Sequence, residues 1–199
     1  MFKLETRAHV TGLSARAAYD FMIVPPAHDF QTWWPGTHLL SRMLRQGVAA
    51  DGKPCDVGTR IYLEQMIGPF HVRETADIVA AIPGRSFTRQ VIIGLRLPIF
   101  ITFDLEDDAD GVVITHTIRA GWSGVRRVLD PLFRLYFTAA FAAALDEHLL
   151  IEYELLREVV RPKTYAAPQP ARATMQLPAL DLSTLPIPSG AIASEIVRP

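Results

Sequence analysis

Residues 125–160, VRRVLDPLFRLYFTAAFAAALDEHLLIEYELLREVV, decide the fold of this chain. Apolar side chains recur there at helical spacing, and no Gly or Pro follows Pro131. No charged residue stands between Arg134 and Asp146, so the helix lacks a polar face and we expect it to be buried on nearly all sides. A single helix of this length would be roughly 45 Å long. Lying across a sheet, it would either fill a core or roof a cavity.

Short strands precede this helix. Residues 2–10 alternate apolar and polar side chains, which predicts a half-buried strand. Ser14 follows as the cap of a short helix that ends before a Pro-Pro pair. A second helical turn leads to TWWPGTH at residues 32–38. We expect the edge strand that starts there to give way to a loop, because Gly and Pro interrupt residues 43–58.

Hairpins occupy the chain from residue 59 to residue 120. In the first hairpin, one register joins opposite charges, with Arg60 opposite Asp77 and Glu64 opposite Arg73. We expect this charged face to be a solvated surface of the sheet.

The later hairpins have registers that the apolar pattern defines. In the second, Arg89 lies opposite Ile78. In the third, residues 99–105 pair with residues 112–118, since a slip of one residue would turn every apolar side chain outward. A sheet with its helices on one face is an α+β fold.

Composition shifts at residue 161. Seven of the fifteen prolines lie in residues 161–199, which predicts an extended or disordered tail after a domain of residues 1–160. The fragment MQLPALDLSTLPIP at residues 175–188 is apolar enough to dock on the domain or on a second subunit.

Bulk properties exclude several classes of function. The net charge of −1, without a basic run, argues against nucleic acid as a partner. The single Cys55 excludes an intrachain disulfide. The charge-free apolar stretches are shorter than the ~20 residues of a membrane span, and the N-terminal alternation is unlike a signal peptide. We expect a cytoplasmic, soluble protein with no cofactor and no metal site, because the six histidines lack ligand spacing.

Three segments together resemble the START-like, or SRPBCC, superfamily, and within it the polyketide cyclase/dehydrase and lipid-transfer-like group. They are FKLETRAHVTGLSARAAYDFM at residues 2–22, FQTWWPGTH at residues 30–38 and FAAALDEHLLIEYELLREVV at residues 141–160. The resemblance covers residues 2–160. It implies the helix-grip fold, in which a curved antiparallel sheet of about six or seven strands wraps a long C-terminal helix, with two short helices after strand 1.

The resemblance also implies an apolar cavity between sheet and helix, which opens near the short helices. Members of the superfamily bind lipids, sterols, polyketides, hormones or aromatic compounds, and some are cyclases or hydrolases. They share no catalytic residue, so the fold implies where a ligand lies and not which reaction occurs.

Candidate ligand contacts combine the inward faces of the strands with the aromatic and helical segments of the resemblance. They are Trp33, Trp34, Gln65, Glu74, Arg89, Ile101, Phe103, His116, Phe133, Tyr136, Phe137 and Ala140.

Several of these residues have two interpretations. His116 is either a core histidine or a cavity acid or base, and Glu74 either pairs with an arginine or lines a wet cavity. In the Trp33-Trp34 pair, either one tryptophan packs beneath the short helices while the other is half exposed, or at least one of them contacts ligand. For Arg89 we expect a side chain that extends to the cavity rim.

The leading hypothesis is a carrier or sensor of a hydrophobic small molecule. The alternatives are a cyclase or dehydratase that uses His116 or Glu74, and a protein-interaction module that uses the tail. A homodimer stays open, because VIIGLRLPIFI at residues 91–101 is either a buried strand or a dimer edge.

Overall fold

A computed structural model describes residues 2–93, 95–122 and 124–160; the predicted tail lies outside these residues. Seven antiparallel strands form one sheet in the order β1-β7-β6-β5-β4-β3-β2. The strands are β1 Phe2–Thr11, β2 His38–Val48, β3 Pro54–Ile67, β4 Phe70–Ile82, β5 Ser86–Ile93, β6 Leu95–Asp107 and β7 Gly111–Ala120. The helices are α1 Ala15–Met22, α2 Ala27–Trp33, α3 Pro131–Tyr136 and α4 Ala139–Val159, with a 3-10 helix at Gly124–Leu129. This arrangement is the α+β helix-grip fold, with two short helices after strand 1.

Two side chains accept hydrogen bonds from the first amides of α1, where it leaves the sheet. The Ser14 hydroxyl accepts a hydrogen bond from the amide of Ala17 at 3.2 Å, as its cap position predicts. Asp107, at the end of β6, accepts a bond from the amide of Ala15 at 2.6 Å. The first helix is therefore attached to the middle of the sheet.

The predicted registers of the first two hairpins are confirmed. Arg60 pairs with Asp77 and Glu64 with Arg73 across β3 and β4. Arg89 lies opposite Ile78 across β4 and β5. Across β6 and β7 the predicted register is wrong by two residues, because Ile99 pairs with Ala120 and Leu105 with Ile114; a shift of two keeps the same side chains on the inner face. Within the apolar stretch, residues 91–93 belong to β5 and residues 95–101 to β6, both in the interior of the sheet, so these residues do not form a dimer edge.

The charged outer face is less solvated than we expected. Asp77 is only 3% exposed, because the Arg60 guanidinium covers it with two hydrogen bonds of 2.6 and 2.9 Å. Asp77 is thus a buried carboxylate on the outer surface of the sheet.

The loop expected over residues 43–58 is wrong. β2 extends to Val48 and β3 begins at Pro54, so only a short turn separates them. Gly47 makes this pairing possible: a Cβ there would lie 2.2 Å from the carbonyl oxygen of Val57. A glycine inside a strand therefore indicates a close approach of two backbones and need not indicate a loop.

The long helix is broken into three pieces, which corrects the prediction of one helix over residues 125–160. A bend of 68° separates the Gly124–Tyr136 segment from α4. The Thr138 hydroxyl accepts a bond from the amide of Phe141 at 3.1 Å and starts a new helix. With 21 residues, α4 is about 32 Å long.

Burial on all sides is also wrong for this region. In the segment before α4, Val125 is 92% exposed, Val128 78% and Leu135 77%. In α4, only one stripe faces the sheet, and Leu150 and Ile151 face away from it. No single helix in the described part of the chain is long and apolar enough to span a membrane. By length and composition alone, one bent pair of segments there, Gly124–Tyr136 with Ala139–Val159, passes the same criterion.

Candidate functional site

A cavity lies between the inner face of the sheet and α4. Its volume, counted as the space open to the centre of a water molecule, is about 90 Å³. One ordered water needs only about 10–15 Å³ on the same measure. Nine of the candidate ligand contacts line it: Trp33, Gln65, Glu74, Arg89, Ile101, Phe103, His116, Tyr136 and Phe137. Other lining residues are mostly apolar and include Met22, Phe30, Leu63, Leu145 and Leu149.

Three candidates lie away from this cavity. Trp34 is half-buried and stacks on His148 at 4.8 Å, because α2 ends at its neighbour and the chain turns outward. Phe133 stacks on Trp122 at 4.6 Å within the segment that precedes the bend. Ala140 is exposed in the first turn of α4, since the break in the helix rotates it away from the sheet.

Two lining residues mark the mouth of the cavity. The Arg73 side chain on β4 is 63% exposed, and Tyr136 at the end of α3 is 49% exposed. The opening therefore lies between the β3–β4 hairpin and the break that precedes α4.

Arg89 does not extend to the rim; it is 5% exposed and lies within the cavity wall. Its Nη2 donates to the carbonyl oxygen of Met22 and, at 3.3 Å, to that of Ile23. These are carbonyls at the C-terminal end of α1, where a cation is favoured. The guanidinium also lies 5.1 Å from the centre of the Phe87 ring and 5.2 Å from that of Phe103.

One donor of Arg89 is unused. Its Nε is buried and has no hydrogen-bond partner among the residues that the structure describes. A buried N–H without an acceptor is costly, so an oxygen atom that reached Nε would lower the free energy of the folded protein.

The other ionisable groups in the cavity favour their neutral forms. Burial raises the pKa of Glu152 to about 8, against the opposing effect of the Arg89 charge. Burial also raises the pKa of Glu74, again opposed by Arg89. For His116, burial lowers the pKa to about 3, and the Arg89 and His148 charges act in the same direction. Arg89 thus lies beside groups that burial shifts toward their neutral forms.

Glu152 is a cavity residue that was not among the candidates predicted from the sequence. A signal was present: positions 145, 149, 152 and 156 follow helical spacing, so Glu152 lies on the apolar stripe. A carboxyl group on such a stripe is buried, and here it is 8% exposed. The indole Nε1 of Trp33 donates to its backbone carbonyl at 2.9 Å.

Sequence spacing also failed to show that two histidines meet. His38 at the start of β2 and His148 in α4 both lie beside Glu152, with Nε2-to-carboxylate distances of 3.5 and 3.7 Å. They are 110 positions apart in the chain, so no local spacing rule could find them.

Comparisons with known proteins give structural likenesses only. No protein-family model matches the chain, and no curated protein matches it. A major latex-like protein from Panax ginseng is 15% identical with a TM-score of 0.47, over 74% of this chain and 96% of that one.

Two further solved structures are similar. A polyketide-cyclase-like protein from Corynebacterium glutamicum is 16% identical, with a TM-score of 0.42 over 80% of this chain and 89% of that one. The Aha1 dimer from Colwellia psychrerythraea is 15% identical, with a TM-score of 0.41 over 76% of this chain and 98% of that one.

Proposed function

We propose that this protein binds a hydrophobic small molecule that carries an oxygen acceptor, and acts as its carrier or sensor. The unpartnered Nε of Arg89 in an otherwise largely apolar cavity is the observation that supports this proposal. A lipid, a polyketide or an aromatic compound with a carbonyl, carboxylate or phenol group has the required chemistry.

The apolar lining would supply most of the binding free energy. A ligand that buries ~100 Å² of apolar surface gains ~2.5 kcal/mol from removal of that surface from water. Phe103, Ile101 and Leu149 are among the side chains that would cover it. Polar side chains would then fix its orientation, as is usual in such pockets. Arg89 is the principal donor, and Gln65 and His116 also line the cavity.

Native mass spectrometry of the freshly purified protein is the first test. We expect a bound species of a few hundred daltons that leaves on denaturation. The apo protein then allows titration with a naphthalene carboxylic acid and with naphthalene, which differ only in the acceptor.

Variants separate the two contributions to binding. Ile101→Trp fills the cavity and should lower the affinity for both probes at least about tenfold. Val79→Trp, on the exposed face of β4, should leave both affinities unchanged. Arg89→Met should lower the affinity for the acid to that for naphthalene, while Arg119→Met, exposed on β7, should preserve the difference. Equal affinity of the native protein for both probes would contradict the role of Arg89.

A second candidate function is acid–base catalysis, of the cyclase or dehydratase type. Glu152 and Glu74 with raised pKa values and His116 with a lowered pKa face one cavity, and such perturbed groups concentrate in active sites. Incubation with β-hydroxy carbonyl compounds, followed by mass analysis for loss of water, tests it. Glu74→Gln and His116→Gln should then abolish turnover while ligand binding persists; turnover that survives both changes would exclude these two groups.

A further inference from the structure

Three ionisable side chains converge at the wall of the cavity. The imidazoles of His38 and His148 and the carboxylate of Glu152 each offer one ligand atom, and these atoms lie within 4.8 Å of one another. The three residues are only 2%, 3% and 8% exposed, respectively. They come from two elements, β2 and α4, whose side chains meet at this point.

The polar atoms of this cluster are not satisfied by one another. The Nε2 atoms of His38 and His148 are buried and lack a hydrogen-bond partner among the residues that the structure describes. Their distances of 3.5 and 3.7 Å to the Glu152 carboxylate exceed the usual N–H···O range of about 2.7–3.2 Å. Unsatisfied buried polar atoms are costly. An occupant that bonds to all three side chains would remove this cost.

The surroundings hold the two imidazoles in place. Nδ1 of His38 lies 3.2 Å from the carbonyl oxygen of Phe30, which only accepts, so Nδ1 carries the proton and the Nε2 lone pair is free. Such a bond to the second ring nitrogen is typical of histidines that bind metals. Phe30 stacks on the His38 ring at 4.2 Å, and Trp34 stacks on the His148 ring at 4.8 Å.

We propose that His38, His148 and Glu152 bind one divalent transition-metal ion of the zinc type. Two imidazole nitrogens with one carboxylate oxygen are a ligand set of zinc and of non-haem iron, whereas calcium and magnesium prefer oxygen alone. Ligands at about 2.0–2.1 Å from a tetrahedral ion stand about 3.4 Å apart. Nε2 of His38 lies 3.5 Å from Oε1 of Glu152 and Nε2 of His148 lies 3.7 Å from Oε2, so the imidazoles face the two oxygens of one carboxylate at spacings near that value.

Such an ion would lie at the edge of the ligand cavity, because Glu152 also lines that cavity. The cavity would provide the path of entry. The fourth position would be open to water or to an oxygen atom of a bound molecule. The metal site requires only the three side chains, so it stands or fails independently of the proposed ligand.

The experiment uses the full chain, stripped with a chelator and titrated with ZnCl₂ by calorimetry. We expect one Zn²⁺ per chain, confirmed by elemental analysis, and a raised melting temperature. Glu152→Gln and His148→Gln should each raise the Kd by more than about 100-fold, since even a residue that only orients a ligand contributes about 10–100-fold. His9→Gln is the matched control: His9 is a surface histidine with Asp108 and Asp110 nearby, and its loss should leave the Kd unchanged.

Co²⁺ provides a second measurement that needs no variant. Loading of the native protein should give an absorption spectrum of four- or five-coordinate cobalt that saturates at one equivalent. This spectrum decides the question if the variants fail to fold. Zinc binding by the native protein that is no tighter than in Glu152→Gln would overturn the proposal. A six-coordinate aqueous cobalt spectrum would also overturn it and would assign the space to water.

Discussion

His116 lies on β7 in the cavity wall, 5% exposed and in edge contact with the Phe103 ring at 4.8 Å. Burial lowers its pKa from 6.5 to about 3, and the charges that reach it from other elements are Arg89 and His148. Above pH 6.5 the imidazole is neutral in both the folded and the unfolded chain. Below pH 6.5 only the unfolded chain takes up the proton, so this residue makes the free energy of unfolding fall as the pH decreases toward 3.

We therefore predict that His116→Gln is relatively more stable in acid. Compared with the native protein, its free energy of unfolding should gain up to ~1.4 kcal/mol for each pH unit between pH 6 and 4. Urea unfolding of both proteins at several pH values measures this difference. His28→Gln, an exposed change on α2, is the control; the same pH trend there would show that His116 is not the source.

At the scale of single residues, the sequence predicted which face a side chain occupies better than what it contacts. Strand alternation put Gln65, Glu74, Arg89 and His116 on the inner face, and all four line the cavity. The carbonyls that bind Arg89 come from α1, 66 positions earlier, and alternation carries no information on such distant contacts.

Among the elements, the break before α4 is the feature that the apolar pattern concealed. Thr138 stands in a run of apolar residues and has no charge near it, so the run resembled one helix. Thr138 adopts an extended conformation and its hydroxyl bonds to the amide of Phe141, which is the geometry of a helix cap. A single threonine in an apolar run is a weak signal without the structure.

We predict that Thr138→Ala destabilises the protein by ~1 kcal/mol, because the first turn of α4 loses its cap. Thr138→Ser keeps the hydroxyl and should retain most of the stability. Chemical denaturation of the three proteins under one condition provides the comparison. Equal losses for alanine and serine would mean that the methyl group, and not the cap, matters.

Across the whole molecule, the inner faces of the strands were the most predictable feature, and the helix-grip fold follows from the order of elements. Opposite charges on β3 and β4 define one register. Apolar alternation on β6 and β7 defines only the face of each side chain, since a shift of two residues, the one observed, leaves that face unchanged. The cavity volume was not predictable, since it depends on how side chains from five strands, β3 to β7, and from the helices fit together.

We predict that the chain ending at Val160 binds the aromatic probes as tightly as the full chain. All elements that line the cavity lie within residues 22–152. A chain in which residues 161–199 are replaced by a Gly/Ser segment of equal length is the control for length. Loss of probe binding in both would mean that the tail completes the site; loss of a protein partner alone would support the interaction-module hypothesis.

The order of the strands also has a consequence for synthesis of the chain on the ribosome. β1 is made first, yet its partner in the sheet is β7, and even the nearest pair, Thr11 and Gly111, is separated by 100 positions. At about 5–20 residues per second, the first strand waits roughly 5–20 s for its neighbour. During that interval its apolar side chains have no sheet to cover them, so β1 in the growing chain is a natural binding segment for a chaperone.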